Sequence, residues 1–304
     1  MKIKKAYTLQ WKNLTLFMNT TLLVLINTVI WTVITIRWKE LRNKNLSAIS
    51  AFGLMCAGLP LWIATLVYLL LSSDNIVYTS DYFTFVVLWA LPVIIGNLGN
   101  LFLMKYQTLS ELSLYKLGFS TLMGMSADFY FFQTTFSYFT LCGIILFFIS
   151  GFLLSQSKTK RSYDLSFHIA LTILFFLSIN TVFQHSMYKS AVMLQTNPIV
   201  HAMTSQILVF TIFFFISYRS LKTDIMKKIL NYKDFLTFGI LIFFYTIIEA
   251  LLFVKLPVSI ILLLSILRLV LFAVYDAKNK DLSLSWQTYI AGVFSLTALI
   301  LINL

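Results

Sequence analysis

Ten runs of about 20 apolar residues, parted by breaks mostly too short to fold alone, make up almost all of this chain. A helix of that length crosses the hydrocarbon of a bilayer with its backbone polar groups paired inside the segment. The runs therefore predict helices at 14–36, 47–71, 82–104, 109–127 and 135–154, and again at 168–188, 198–217, 235–254, 257–275 and 286–304. Composition excludes a soluble globular chain, because 59% of the residues are hydrophobic and 11% are charged, with a mean hydropathy of +0.87. The expected class is an all-α polytopic membrane protein of the plasma or bacterial inner membrane, with no extramembrane domain.

An internal echo orders these helices. The stretch from Phe102 to Gly151 returns in weaker form from Leu252, with Lys105 meeting Lys255 and Gly143 meeting Gly292. Upstream, Ile26-Asn27-Thr28-Val29 recurs as Ile179-Asn180-Thr181-Val182, inside the first apolar run of each half. Five crossings per half is an odd number, so the two copies lie upside down to each other. The reading is ten transmembrane helices as two inverted five-helix repeats, residues 1–157 and 158–304, hinged in the polar segment 155–165. The connections at 105–108 and 255–257 hold only a turn, which makes the helices they join tight antiparallel hairpins.

The formal charge of +12 would suit nucleic acid, but nearly all Lys and Arg lie in connections between apolar runs. The expected partner is therefore the lipid bilayer, with no nucleic acid. Fifteen of these cations lie on the side opposite the termini and six on the terminal side, so the basic-inside tendency places the termini outside. Cys56 and Cys142 both fall within apolar runs, as small buried residues do, and imply neither a disulfide framework nor a metal site. No cofactor is called for.

Polar side chains inside hydrocarbon are costly unless they face a neighbouring helix or a wet cavity. Asn27, Trp31 and the threonines Thr28, Thr32 and Thr35 recur at helical spacing in the first run, and Asn180, Thr181, Gln184, His185 and Tyr188 form the counterpart set in the sixth. Either set lines a cavity or joins packed helices. The deep charges are sharper. Glu249 lies one turn beyond Tyr245, Glu111 one turn before Tyr115, and Lys116 and Arg268 occupy nearly matching places in the two copies. Each costs at least about 2.5–3.5 kcal/mol in a membrane without a partner. Pairing of Glu249 with Arg268 is one way to meet that cost, and for Glu111 a side chain reaching the surface is another. Asn97 and Asn100 share a face within a patch that also holds Gly96 and Gly99. They could bond a solute or a neighbouring helix. His168 and His201 stand apart from each other, as packing histidines do.

Ten helices in about 300 residues, in halves that end in a helix, short turn, helix, polar break and helix, resemble the drug/metabolite transporter superfamily, and within it the EamA-type proteins. Met104-Lys105-Tyr106 resembles that family's stretch at the end of its third helix, and Gly143 with Gly151 its glycine pair in the fifth. Gln133 stands where the family usually has an acidic residue, and the tenth helix lacks a second glycine. The resemblance implies a secondary transporter that works by alternating access around a central cavity, with termini in the cytoplasm, against the charge bias.

The expected function is thus movement of a small organic solute, zwitterionic or anionic, driven by protons or exchange, by a monomer or homodimer without enzymatic activity. Asn27, Trp31, Asn97, Asn100, Tyr115, Lys116, Asn180, Gln184, His185, Tyr245, Glu249 and Arg268 are the expected substrate contacts. Lys116 and Arg268 would supply its cationic half. Glu249 with aromatic walls would also suit efflux of a hydrophobic cation. A lipid flippase or an intramembrane lipid-modifying enzyme is the remaining alternative, although no HExxH or GxSxG constellation is present.

Overall fold

The computed structural model describes residues 20–72, 84, 94–105, 109–156, 198–257, 260–261, 265–279 and 286–302, and all regular structure among them is helical. We number the helices α1 Thr20–Asn43, α2 Ala48–Gly53, α3 Leu59–Ser72, α4 Ile94–Leu103, α5 Leu109–Phe132 and α6 Tyr138–Gln156. They continue as α7 Pro198–Met226, α8 Tyr232–Lys255, α9 Ser265–Asn279 and α10 Trp286–Ile302. Leu22–Asn43, Ala48–Leu71, Ile199–Met226 and Tyr232–Leu252 are long and apolar enough to cross a bilayer. The helix expected at 168–188 lies outside the described residues, as does most of the first part of the one expected at 82–104.

Polarity is arranged inside out. On α1, Val29 and Val33 are 54% and 46% exposed while Asn27 and Thr28 are each 3% exposed, so the apolar face looks outward and the polar face inward. That is the arrangement hydrocarbon demands. Thr32 Oγ1 donates to the carbonyl of Thr28 and Thr35 Oγ1 to that of Trp31, both at 2.7 Å, so these hydroxyls are used within their own helix.

Several helices outrun their expected ends. α1 continues past 36 to Asn43 because its basic last turns find acceptors. Arg37 Nη2 pairs with Asp234 Oδ1 at 2.6 Å, Lys39 donates to the carbonyl of Met104, and Arg42 Nε donates to that of Leu101 at 3.0 Å. The last two place cations on the carbonyls that end α4, where the helix dipole favours them. α1 stops with Asn45 at φ 67, Leu46 N–H bonded to Leu41 O and Asn45 N–H to Arg42 O, both at 3.0 Å, the Schellman arrangement. The same device ends α7, with Lys228 at φ 58 and Ile229 N–H on Asp224 O at 3.0 Å. α7 thus absorbs much of the polar stretch between the runs expected at 198–217 and 235–254. α8 then starts at once from a capping box between Asn231 and Asp234.

Helices from the two ends of the chain pack on one another. α1 and α8 run antiparallel, with Trp31 against Tyr245 at 4.5 Å between ring centroids and Trp38 against Phe238 at 5.6 Å. The expected second helix is broken into α2, a 3-10 turn at Leu54–Gly58, and α3, and it packs antiparallel on α7. Ser47 Oγ meets Ser220 Oγ at 2.7 Å, Cys56 Sγ donates to Phe210 O at 3.1 Å, and Trp62 stacks on Phe210. α5 packs on α9, where Asp276 Oδ2 accepts from the Ser110 N–H and hydroxyl at 2.9 and 2.7 Å, and α6 on α10, where Ser150 Oγ donates to Ala291 O at 2.7 Å.

At the 3-10 turn the backbone of α8 comes close. A Cβ on Gly239 would stand 2.7 Å from Ala57 O, whereas one on Gly292 would meet, among the described residues, Val270 Cγ1 alone, at 3.5 Å. Gly239→Ala should therefore destabilise by about 1–3 kcal/mol, the usual range for overpacking. Thermal unfolding of the detergent-purified protein checks this, with Gly292→Ala expected to unfold no earlier than the parent.

Candidate functional site

Antiparallel packing of α1 on α8 brings Asn27 level with Glu249, because the pairs Trp31–Tyr245 and Trp38–Phe238 fix the register. α9 crosses the same place and delivers Arg268 from its first turn. The result is one cluster. Arg268 Nη2 donates to Asn27 Oδ1 at 2.6 Å, and its Cζ lies 5.7 Å from the Trp31 ring centroid and 5.9 Å from that of Tyr245. The Tyr245 hydroxyl donates to Glu249 Oε1, one turn along α8. Five of the expected site residues, Asn27, Trp31, Tyr245, Glu249 and Arg268, thus meet although they come from three helices.

A guanidinium over two rings gains about 0.5–2 kcal/mol from cation–π attraction, the more so when desolvated. It also occupies the aromatic face. A guanidinium only donates, so the Asn27 atom facing it must be the carbonyl oxygen, which turns the amide nitrogen elsewhere. Both Asn27 Nδ2 and Arg268 Nε are buried without a hydrogen-bond partner among the described residues. Buried donors left so cost about 1–3 kcal/mol each, and the charged one more, which marks the place as incomplete without a further acceptor.

The other expected contacts are distributed differently. Asn97 and Asn100 lie on α4, away in sequence and element from the three helices that build the cluster. Tyr115 and Lys116 lie on α5, where only their backbone is described. Asn180, Gln184 and His185 lie outside the described residues. His201 is fully buried in α7.

Sequence reasoning passed over a second set of contacts at the opposite end of α8. Arg37 with Asp234, Ser110 with Asp276, and Ser47 and Ser50 with Ser220 each join a helix from the first part of the chain to one from the last. Arg37 had been counted as a connection charge. Its partner was partly legible, since Asn231-x-x-Asp234 before an apolar run is a capping signature. That cap turns the Asp234 carboxylate toward the end of α1.

No protein-family model and no curated protein matches this sequence. A solved structure does: a crystal structure of a protein aligns with 91% of this chain and 98% of its own, with a TM-score of 0.59 at 12% identity. The chain shares that fold over almost its whole length. Identity this low bears on the fold and not on the chemistry of the cluster.

The cluster predicts unequal roles for its hydroxyls. Tyr245→Phe keeps the ring stack and removes the donor to Glu249, and should destabilise by about 1–3 kcal/mol. Thr35→Val, which loses a bond made within α1, should stay within about 1 kcal/mol of the parent. Denaturant unfolding of the two variants checks the difference.

Proposed function

We propose that this protein is a secondary transporter that moves a small zwitterionic or anionic organic solute by alternating access. It would be built as ten transmembrane helices in two inverted five-helix repeats, 1–157 and 158–304, on the plan of the drug/metabolite transporter superfamily. The observation that carries the reading is the Asn27–Arg268 contact: a charged, incompletely bonded cluster, set among apolar helices, joins a helix of the first repeat to one of the second. Solute sites of inverted-repeat transporters lie at the repeat interface near the bilayer midplane.

The helix pairing supports the inversion. α2 and α3 with α7, α5 with α9, and α6 with α10 each join an expected helix to the one five places later. A two-fold axis in the membrane plane that exchanges the repeats maps every such pair onto itself, and the antiparallel sense of α2 and α3 against α7 is what inversion requires. The cross-chain contacts of Arg37, Ser110 and Ser220 then hold shut the end opposite the termini, and alternating access needs them to part. Arg268 over Trp31 and Tyr245 takes the place a hydrophobic cation would use, which favours an anionic group over a cationic drug.

Proteoliposomes carrying the purified chain should accumulate labelled small organic acids or zwitterions above protein-free liposomes, with no transfer of labelled lipid between leaflets. Lipid transfer without solute uptake would instead make it a flippase. Where uptake follows a proton gradient, Glu249→Gln should abolish accumulation and leave exchange. Orientation is tested separately by a cysteine at position 303 in a background lacking Cys56 and Cys142. The 15-to-6 charge bias favours its labelling from outside intact cells, and its protection there would put the termini in the cytoplasm.

A further inference from the structure

We infer that the cluster is a docking point for a single carboxylate, received by Arg268 Nε and Asn27 Nδ2. The inference rests on the transporter reading of the same cluster and assigns its substrate class.

Three observations converge on it. Both donors are buried and lack an acceptor among the described residues, and Asn27 is only 3% exposed, so its amide nitrogen does not turn to bulk solvent. The Arg268–Asn27 bond holds the two groups against each other, which places a charged donor and a neutral one on neighbouring atoms of one contact. The walls are the Trp31 and Tyr245 rings, 4.5 Å apart, which keep the surroundings low in dielectric and strengthen whatever charge-assisted bond is made there.

The charge of the place selects among oxyanions. Among the described residues Arg268 is the one cation of the cluster, and Glu249, bonded by Tyr245, is an acid at the same level. Two donors and one positive charge match the two oxygens and single charge of a carboxylate. A phosphate dianion would bring a second negative charge next to Glu249 with no further donor to receive it, and a buried charge without a partner is strongly disfavoured. An ammonium would face Arg268 directly. The carboxylate acceptors are also what the two donors lack, whereas an amine offers them nothing.

The test uses the full-length chain in lipid nanodiscs and isothermal titration with acetate, butyrate and benzoate, against benzamide, benzylamine and inorganic phosphate. At least one carboxylate should bind, on the order of tenfold to a hundredfold more tightly than the matched amide or amine, the range for one bond to a charged group. Asn27→Asp is the decisive variant, since it is isosteric, keeps an oxygen for Arg268 and replaces the second donor by an acceptor. It should lose carboxylate binding by at least about tenfold while its thermal unfolding stays at or above that of the parent. Arg268→Gln should lose binding as well. Equal binding to the parent and to Asn27→Asp, or tighter binding of phosphate or benzylamine than of every carboxylate, overturns the inference. If no carboxylate binds while proteoliposomes still accumulate another solute, the docking point is wrong and the transporter reading stands. Carboxylate binding without uptake of any solute would do the reverse.

Discussion

A polar group placed in hydrocarbon must be bonded by the protein, and that requirement governs how these helices meet. Asn27, Arg268, Tyr245 and Glu249 are each expensive to bury alone, and their mutual contacts exist only if α1, α8 and α9 converge at one level. Apolar packing brings the helices together without choosing a rotation, because Val29, Val33 and the inward face of α1 are all compatible with contact. The polar contacts choose it. The register of Trp31 on Tyr245 and Trp38 on Phe238 then follows for the length of the α1–α8 pair.

The same principle acts differently at two levels. At the end opposite the termini several groups are paired: Arg37 with Asp234, Asp276 with the first turn of α5, and Lys39 and Arg42 with the last carbonyls of α4. In the central cluster the pairing stops short, with a donor left over on each of Asn27 and Arg268 among the described residues. Closed contacts at one end and an unfinished site between the same helices are the two elements that alternating access uses. In that reading a solute that completes the centre changes the free-energy balance of the end only if it binds the two states unequally.

Much of this was legible from residues alone, and what was not has a physical reason. The apolar runs marked most of the helices among the described residues because hydrocarbon tolerates little else, and the deep polar, charged and aromatic side chains of helices 1, 8 and 9 named five members of the cluster. Their assembly was not legible. Nothing in the spacing of Asn27 and Arg268 says that they touch, since the contact spans the chain. Nor were the bonds of Thr32 and Thr35 legible, since a spacing that suits a cavity wall or a neighbouring helix suits equally the carbonyls of Thr28 and Trp31 to which they donate within α1. The end of α1 was misplaced because its basic residues were taken as loop, since only the fold supplies the Met104 and Leu101 carbonyls and the Asp234 carboxylate that receive them.

The central claim is that the two sets of helices part and rejoin at the end opposite the termini. The most direct measurement is the distance between spin labels at the exposed positions Lys44, at the end of α1, and Lys233, at the start of α8, by pulsed electron paramagnetic resonance in nanodiscs. The account predicts a short-distance population matching this structure and a longer one that grows when Asp234→Asn weakens the Arg37 contact. A single short distance, unchanged by that substitution and by every solute that binds, would contradict it.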